Sequence, residues 1–287
     1  MTADPEIESA LWDDWHVIGE IDRLIQHGRL RTMLLGVPLV IEHDGGEPRV
    51  LAESRGPIAA HVKYGYVWAC LGTPKHEIVT FAECDDPERW VVTAGAIGVA
   101  VSGLRAVENF LDLGHLGFVH AGYLGEEPHT EVRPHKVGAR PGGGIIATGC
   151  KVYQPLASPV ATEGFDVDYI YEVIRPYTVL LYKANPVRPA LSDLIVLFVQ
   201  PVTEESCIGH MLSVYLKDDI TALAIRQFVQ LIFSQDKPIL ENQVPKRLPL
   251  SPRAEIPVRA DASSAAYRQY LREKDIRFGA IPASRDD

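Results

Sequence analysis

The sequence has little that would suit the protein to a nucleic-acid or membrane surface. Its 28 basic residues are outnumbered by 38 acidic ones, for a net charge of −10, which argues against a broad nucleic-acid surface or a polybasic membrane patch. The longest weakly polar run, at 94–104, is too short to cross a bilayer as a helix. Residues 1–15 are acidic where a secretory signal would be basic. We therefore expect a soluble, cytoplasmic protein with no nucleic-acid or membrane partner.

Cysteine is also scarce. Cys70, Cys84, Cys150 and Cys207 are widely separated, which excludes the disulfide framework of a small secreted protein. We interpret most of them as small buried hydrophobic residues. Cys207 forms a short Cys-x2-His pattern with His210, but this pattern lies in a strand-like segment and is interpreted as sheet structure.

The chain contains more β-like than helix-like sequence. Strand-like segments with Gly and Pro turns fill 16–84, and aromatic and β-branched segments fill 130–216. Apolar residues at helical spacing predict a helix from 103 that fades at Gly117, a long covering helix at 219–243 and a final helix near 263–275. This pattern predicts an α+β fold, an antiparallel sheet with helices at its margins.

Four polar residues stand close together in the first of these helices. Asn109, Asp112 and His115 follow at three-residue steps, which on a helix places them on one face, and His120 lies beyond Gly117. Two imidazoles at a helix end are possible metal ligands. Histidines that serve only as hydrogen-bonded polar residues are an equally good interpretation of this spacing alone.

Asp236 favours the metal. It falls on the apolar stripe of the covering helix with Val229, Ile232 and Phe233, and an ionised carboxylate facing a core needs a cation or hydrogen-bond donors. The alternative is a surface turn at the end of the helix. Two histidines and one carboxylate form the facial triad of non-haem Fe(II) oxygenases. Zinc is the competing ion, but a zinc hydrolase usually needs a general base such as the Glu of HExxH, and the sequence has no HExxH motif.

These residues resemble a known family, the catalytic α subunits of Rieske non-haem iron oxygenases. The family's iron motif is matched by Asn109-Phe-Leu-Asp112-Leu-Gly-His115-Leu-Gly-Phe-Val-His120. Its late Asp ligand is matched by Asp236 within Gln-Asp-Lys-Pro-Ile-Leu-Glu-Asn-Gln. The resemblance implies a helix-grip (START-like) catalytic domain at 86–287, with Fe(II) held by His115, His120 and Asp236 and O₂ as co-substrate.

The resemblance extends to residues 1–85, with one departure. The segments at 15–18, 34–41 and 64–72 resemble strands of a Rieske domain, whose [2Fe–2S] cluster is held by two Cys and two His. Residues 42–63, where those ligands would stand, contain no cysteine. We therefore expect 1–85 to be a vestigial Rieske-like β region without cluster ligands, and the protein to have no [2Fe–2S] cluster of its own.

The resemblance gives Asp112 a role in electron transfer. In the family, the matching residue connects an iron-ligand His to a Rieske cluster in a neighbouring subunit. Asp112 in a chain without a cluster suggests that a Rieske-containing reductase docks here, so that NAD(P)H is used only indirectly. The alternative is that Asp112 only orients His115. Asn109 would lie beside the iron.

Length and domain content resemble the cluster-lacking oxygenase component for methylxanthine N7-demethylation. This implies oxidative removal of an N-methyl group from a small methylated heteroaromatic substrate, with release of formaldehyde. An O-demethylase, an aromatic ring hydroxylase, a zinc-dependent hydrolase and a non-catalytic binding module are the alternatives. By analogy we expect a homotrimer or a hetero-oligomer with a related oxygenase subunit.

The substrate pocket is expected between the sheet at 145–215 and the covering helix. Gln243, seven residues after Asp236, would share the helix face of that ligand. Core packing is an equally open role for each strand residue considered as a pocket wall, namely Phe165, Tyr169, Tyr171, Leu197 and Val199.

Overall fold

The computed structural model describes residues 7–53, 55–156, 164–185, 188, 190–217 and 220–283. Its first part is a six-stranded antiparallel sheet, here called the N-terminal sheet, with the spatial order β1-β6-β5-β4-β3-β2. Its strands are β1 (His16–Glu20), β2 (Arg29–Leu34), β3 (Val37–Glu42), β4 (Arg49–Ala52), β5 (Gly56–Lys63) and β6 (Tyr66–Cys70).

The second part contains a seven-stranded antiparallel sheet, here called the large sheet, with the order β7-β13-β12-β11-β10-β9-β8. Its strands are β7 (Arg89–Val99), β8 (Lys136–Ala139), β9 (Ile145–Gln154), β10 (Phe165–Arg175), β11 (Thr178–Ala184), β12 (Ser192–Thr203) and β13 (Ser206–Leu216). A short parallel pair joins β14 (Leu248–Pro249) to β15 (Ala280–Ile281).

Helices lie at the margins of both sheets. They are α1 (Ser9–Trp12), α2 (Ile21–His27), α3 (Gly103–Leu111), α4 (Leu116–Val119), α5 (Ala222–Glu241) and α6 (Ala262–Glu273), with short 3₁₀ helices at Ala82–Asp85 and Arg259–Asp261. The predicted α+β class with an antiparallel sheet is confirmed at this level. Among the described residues, no helix is both long and apolar enough to span a bilayer.

The central strand β12 of the large sheet is buried on both faces, which explains why its sequence is almost continuously apolar. Leu194, Val196 and Phe198 pack with Trp68 of the N-terminal sheet, and the Phe198 and Trp68 rings meet edge-on at 4.8 Å. The alternate residues Leu197 and Val199 belong to the other cluster, on the side of α3 and α5. Because successive residues of a strand face opposite sides, a strand covered on both faces must be apolar throughout.

Two predicted helix boundaries differ from the structure. The first helix ends at Leu111 rather than fading at Gly117, because Asp112 adopts an extended conformation (φ −77°, ψ 121°). Asp112 is therefore not on a helix face with His115, although the two side chains still meet. The covering helix runs through Pro238 to Glu241, and its predicted start at residue 219 lies outside the described residues.

Candidate metal centre and adjoining cavity

Three predicted ligands converge at one point between α3, α4 and α5. His115 and His120 flank the single turn of α4, and Asp236 lies on the buried face of α5. Nε2 of His115 is 3.2 Å from Nε2 of His120, and Oδ1 of Asp236 is 3.3 and 3.1 Å from these two nitrogens. In the described parts of the chain, this is the one group of three or more ligating side chains brought so close together.

The chemistry of these three groups fits a divalent cation. Oδ1 of Asp236 is buried and lies 3.3 and 3.1 Å from the Nε2 atoms of His115 and His120, so the carboxylate needs positive charge at this point, either a cation or a proton on an imidazole. Bonds of about 2.1 Å to a common ion would hold ligand atoms roughly 3 Å apart, close to the observed separations. Two neutral imidazoles and a carboxylate on one side of an ion leave further coordination positions open.

Each imidazole is oriented by a second hydrogen bond. Nδ1 of His115 is 3.1 Å from Oδ2 of Asp112, whose Oδ1 accepts the backbone N–H of Gly114 at 2.7 Å. Nδ1 of His120 is 2.9 Å from Oε1 of Gln235. Because a carboxylate and an amide oxygen only accept, both Nδ1 atoms carry the proton and both Nε2 lone pairs face the cation position.

When no cation is bound, His115 and Asp236 shift each other's pKa. Burial lowers the pKa of His115, but the Asp112 and Asp236 carboxylates outweigh that effect and raise the pKa to about 9. Burial raises the pKa of Asp236, but the two imidazoles outweigh it and lower the pKa to about 2. Without a metal, a proton on His115 therefore balances the carboxylate, and a divalent cation would displace that proton on binding.

Helix α5 is held in place by the edge strand β7. Gln230 donates from Nε2 to the carbonyl oxygen of Ala94 at 2.8 Å, and Lys237 donates from Nζ to that of Gly98 at 2.6 Å. These side chains satisfy backbone groups that an edge strand would otherwise leave to solvent. Because Gln235 and Asp236 lie between them in sequence, the same contacts fix the third ligand and the partner of His120.

Gln235 is one site residue that the sequence does not reveal. It stands next to Asp236 in the motif, but only the fold brings it to His120. Gln243 lies elsewhere than predicted. Since α5 ends at Glu241, Gln243 is beyond the helix and lines an outer cleft, and Asn109 and Asp112 line that cleft with it.

A largely apolar cavity of about 110 Å³ adjoins the three ligands, between α3, α5 and the large sheet. Asn109 also lines this cavity. Of the wall residues considered from sequence, Tyr169, Tyr171 and Leu197 line it, whereas Phe165 and Val199 are not among the lining residues. Sequence reasoning missed Lys183, Met211 and Tyr215, which also line it. A lone lysine in the apolar strand β11 was the available signal for the first of these.

Comparison with known proteins places these residues in a family context. Residues 100–274 match the family model described as the vanillate O-demethylase oxygenase C-terminal domain. This range includes all three predicted ligands, His115, His120 and Asp236.

Similar proteins are found both in sequence and in structure. The chain is 40% identical over 269 residues to a probable methylxanthine N7-demethylase, NdmC, of Pseudomonas sp. (strain TJI-51), covering 93% of this chain and 95% of the relative. The structure of Pseudomonas putida CBB5 NdmA with caffeine matches with a TM-score of 0.74 at 21% identity, covering 93% of this chain and 92% of that one. Dicamba monooxygenase bound to 3,6-dichlorosalicylic acid matches with a TM-score of 0.71 at 16% identity, covering 92% and 98%.

Proposed function

Because the chain belongs to the Rieske oxygenase family and is an oxidoreductase, we propose that it is the oxygenase component of a methylxanthine N-demethylase, acting on the N7-methyl group. The observation that carries this proposal is the meeting of His115, His120 and Asp236 at the wall of an apolar cavity. The similarity to a probable N7-demethylase over almost the whole chain supports the substrate class.

We propose that the metal is Fe(II), held by His115, His120 and Asp236. Bound there, iron would supply the activation of O₂. With two electrons from the reductase and two protons, one oxygen atom would enter a methyl C–H bond and the other would leave as water. The N-hydroxymethyl compound formed in this way releases formaldehyde and leaves the N–H form of the substrate. The chain contributes ligand geometry, through Asp112 and Gln235, and a closed space for the methyl group.

The cavity walls suit a flat heteroaromatic molecule. Phe110 and Tyr171 meet edge-on at 6.0 Å, and Phe228 and Phe233 line the α5 side. Aromatic walls bury a planar ring well and limit the water that reaches the metal. This shape supports a small aromatic substrate over a peptide or a polymer.

The scarcity of carboxylates among the described cavity residues argues against the zinc hydrolase. A hydrolase would need a general base near the metal-bound water. Among the described residues that line the cavity, Asp236 is the one carboxylate, and it serves as a ligand. The oxygenase is therefore the better interpretation of the same three ligands.

Electrons would reach the site from outside the chain. The side chain of Asp112 is 33% exposed and lines the outer cleft, while its Oδ2 contacts His115. A carboxylate that contacts both solvent and a ligand suits the docking of a Rieske-containing reductase that takes its electrons from NAD(P)H. A related oxygenase subunit is the alternative donor, and a trimer is the assembly that the family resemblance suggests.

Metal analysis and reconstitution test the proposal. Protein purified without oxygen should bind one Fe(II) per chain, and with NADH and a Rieske-bearing reductase it should release formaldehyde and demethylated product from a methylxanthine in equal amounts. Asp236→Ala should lose both iron and activity, whereas Asp168→Ala, on the exposed face of β10, should lose neither. Stoichiometric iron in Asp236→Ala, or full turnover with NADH alone, would contradict the proposal.

A separate variant tests the electron route. Asp112→Asn should retain iron and lose at least about tenfold in reductase-supported turnover, because the amide has no negative charge at the docking surface. The exposed Asp275→Asn is the matched control. If Asp112 only orients His115, iron affinity should fall in parallel with turnover, and this parallel loss would reject the electron-transfer role.

A further inference from the structure

A buried lysine lies in the substrate cavity, away from the metal ligands. Lys183 of β11 is only 7% exposed and lines the cavity. Among the described lining residues it is the one lysine or arginine. Burying an ammonium group is costly even when a carboxylate lies nearby, and a lysine in this largely apolar wall offers the cavity a hydrogen-bond donor that a leucine would not.

Strand register shows where Lys183 lies along the cavity wall. Lys183 and Leu181 share the cavity face of β11, where Leu181 stands opposite Tyr171 and Lys183 stands opposite Tyr169 of β10. Tyr171 lines the cavity together with His115 and Asp236. Residues two apart on a strand are about 6.7 Å apart, so Lys183 lies about that far along β11 from Leu181, which lines the same cavity.

The electrostatic setting keeps the lysine available as a donor. Asp193 of β12 stands opposite Lys183 and is 4% exposed. Burial lowers the pKa of Lys183 to about 8, and the Asp193 carboxylate opposes that change, so the ammonium form predominates at pH 7. Oδ1 of Asp193 accepts the backbone N–H of Leu216 at 3.0 Å. An ammonium has three N–H donors, so it can contact a carboxylate and still donate to a ligand in the cavity.

We propose that Lys183 donates a hydrogen bond to a ring carbonyl oxygen of the substrate and thereby selects which N-methyl group faces the metal. This inference rests on the proposed function and adds the recognition step. A methylxanthine carries two ring carbonyls and no positive charge, so a cationic donor on the sheet and the metal on the helix side would hold opposite edges of the same flat molecule. A substrate without a carbonyl at the contacted position would lose this contact.

The chain also provides a matched control pair. Lys151 of β9 stands opposite Asp168 of β10, and their charged atoms lie 3.1 Å apart. The two side chains are 48% and 60% exposed. Lys151 and Lys183 therefore belong to cross-strand Lys–Asp pairs of the same sheet, one exposed to solvent and one buried in the cavity.

The test compares Lys183→Met with wild type on a methylxanthine and on its 2-thio and 6-thio analogues. In wild type, one of the two sulfur replacements should raise KM at least about tenfold, because sulfur is a weaker acceptor. Lys183→Met should raise KM for the parent compound about 10- to 100-fold, the usual worth of a hydrogen bond to a charged group. It should discriminate less than about threefold between the parent and that analogue and release a mixture of demethylated products. Iron content should be unchanged.

A second variant covers the possibility that removing the lysine leaves Asp193 unbalanced and unfolds the chain. Lys183→Met/Asp193→Asn removes both charges, retains an acceptor for Leu216 and should give the same loss of discrimination. Lys151→Met should behave as wild type. If wild type is active and Lys183→Met keeps its KM within about threefold and still discriminates against the thio analogue, the role of Lys183 is overturned. The proposed function would be unaffected by that result. An iron-loaded wild type that demethylates no methylxanthine overturns the proposed function, and this inference with it.

Discussion

The hydrogen bond between Gln235 and His120 offers a direct test of how the metal ligands are prepared. His120 is 1% exposed, and its Nδ1–H donates to Oε1 of Gln235 at 2.9 Å. Gln235→Leu removes the acceptor without touching any ligand atom. The buried Nδ1–H then has no acceptor, and the proton can move to Nε2. In that tautomer Nε2 has no lone pair with which to bind the metal.

The size of this effect follows from the burial of the ring. A buried donor that loses its partner costs about 1–3 kcal/mol, and loss of an outer hydrogen bond to a ligating histidine typically costs 10–100-fold in metal affinity. We therefore expect the Kd for Fe(II) to rise about 10–100-fold, equivalent to about 1.4–2.7 kcal/mol. Competition with a chelator under anaerobic conditions measures this Kd.

Two further variants decide the interpretation. Gln235→Glu provides an acceptor in the same position and should return the Kd to within about threefold of wild type. Ser234→Ala, at the exposed neighbouring position on α5, should leave the Kd unchanged. A Gln235→Leu variant that binds Fe(II) as tightly as wild type would refute the reasoning, because His120 would then need no partner to act as a ligand.

Three other predictions concern stability. Gly103→Ala would place a Cβ 2.8 Å from Val199 Cγ1 and 2.9 Å from Tyr177 Cε1, and should lower the free energy of unfolding in urea by about 1–3 kcal/mol; an unchanged value would mean that α3 can move away from the sheet. Tyr66→Phe removes the hydroxyl that donates to the carbonyl oxygen of Met211 at 2.7 Å between the two sheets and should cost about 1 kcal/mol in the same assay. Burial lowers the pKa of His210 to about 3. Between pH 6.5 and 3 the unfolded chain therefore binds a proton that the folded chain does not, and the free energy of unfolding decreases as the pH falls. Between pH 7 and pH 5, His210 should lower the free energy of unfolding by about 2 kcal/mol. In urea unfolding at these two pH values, the decrease for His210→Gln should be smaller than for wild type by about that amount. Equal decreases would refute the prediction.

The coarse fold and the family could be predicted from the sequence because their signals are local. Alternation of apolar residues marks strands wherever they pair, and the helical spacing of Val229, Phe233 and Asp236 marks one face of α5. The predicted family is confirmed by the match over 100–274. The ligand roles of His115, His120 and Asp236 stay predictions, with geometry that supports them.

The errors have physical causes too. A helical pattern continued to Gly117 in sequence, but the backbone turns at Asp112, where the carboxylate accepts the N–H of Gly114 and Asp competes with the helix for such bonds. Helical periodicity predicts Gln243 on the face of Asp236, but the helix ends at Glu241, two residues before it. The sequence of β10 does not indicate which of its residues face the helices, so it does not distinguish Tyr169 and Tyr171, which line the cavity, from Phe165, which does not.

The local sequence is enough to predict that two imidazoles meet, because the five-residue spacing of His115 and His120 spans one short turn. The apolar stripe around Asp236 also predicts that its carboxylate needs a cation or hydrogen-bond donors. The contact of Gln235 with His120, a residue 115 positions away, and the position of Lys183 in the cavity wall follow from the packing of the whole chain. Contacts between distant segments depend on how sheets and helices pack, and no local pattern of the chain encodes that distance.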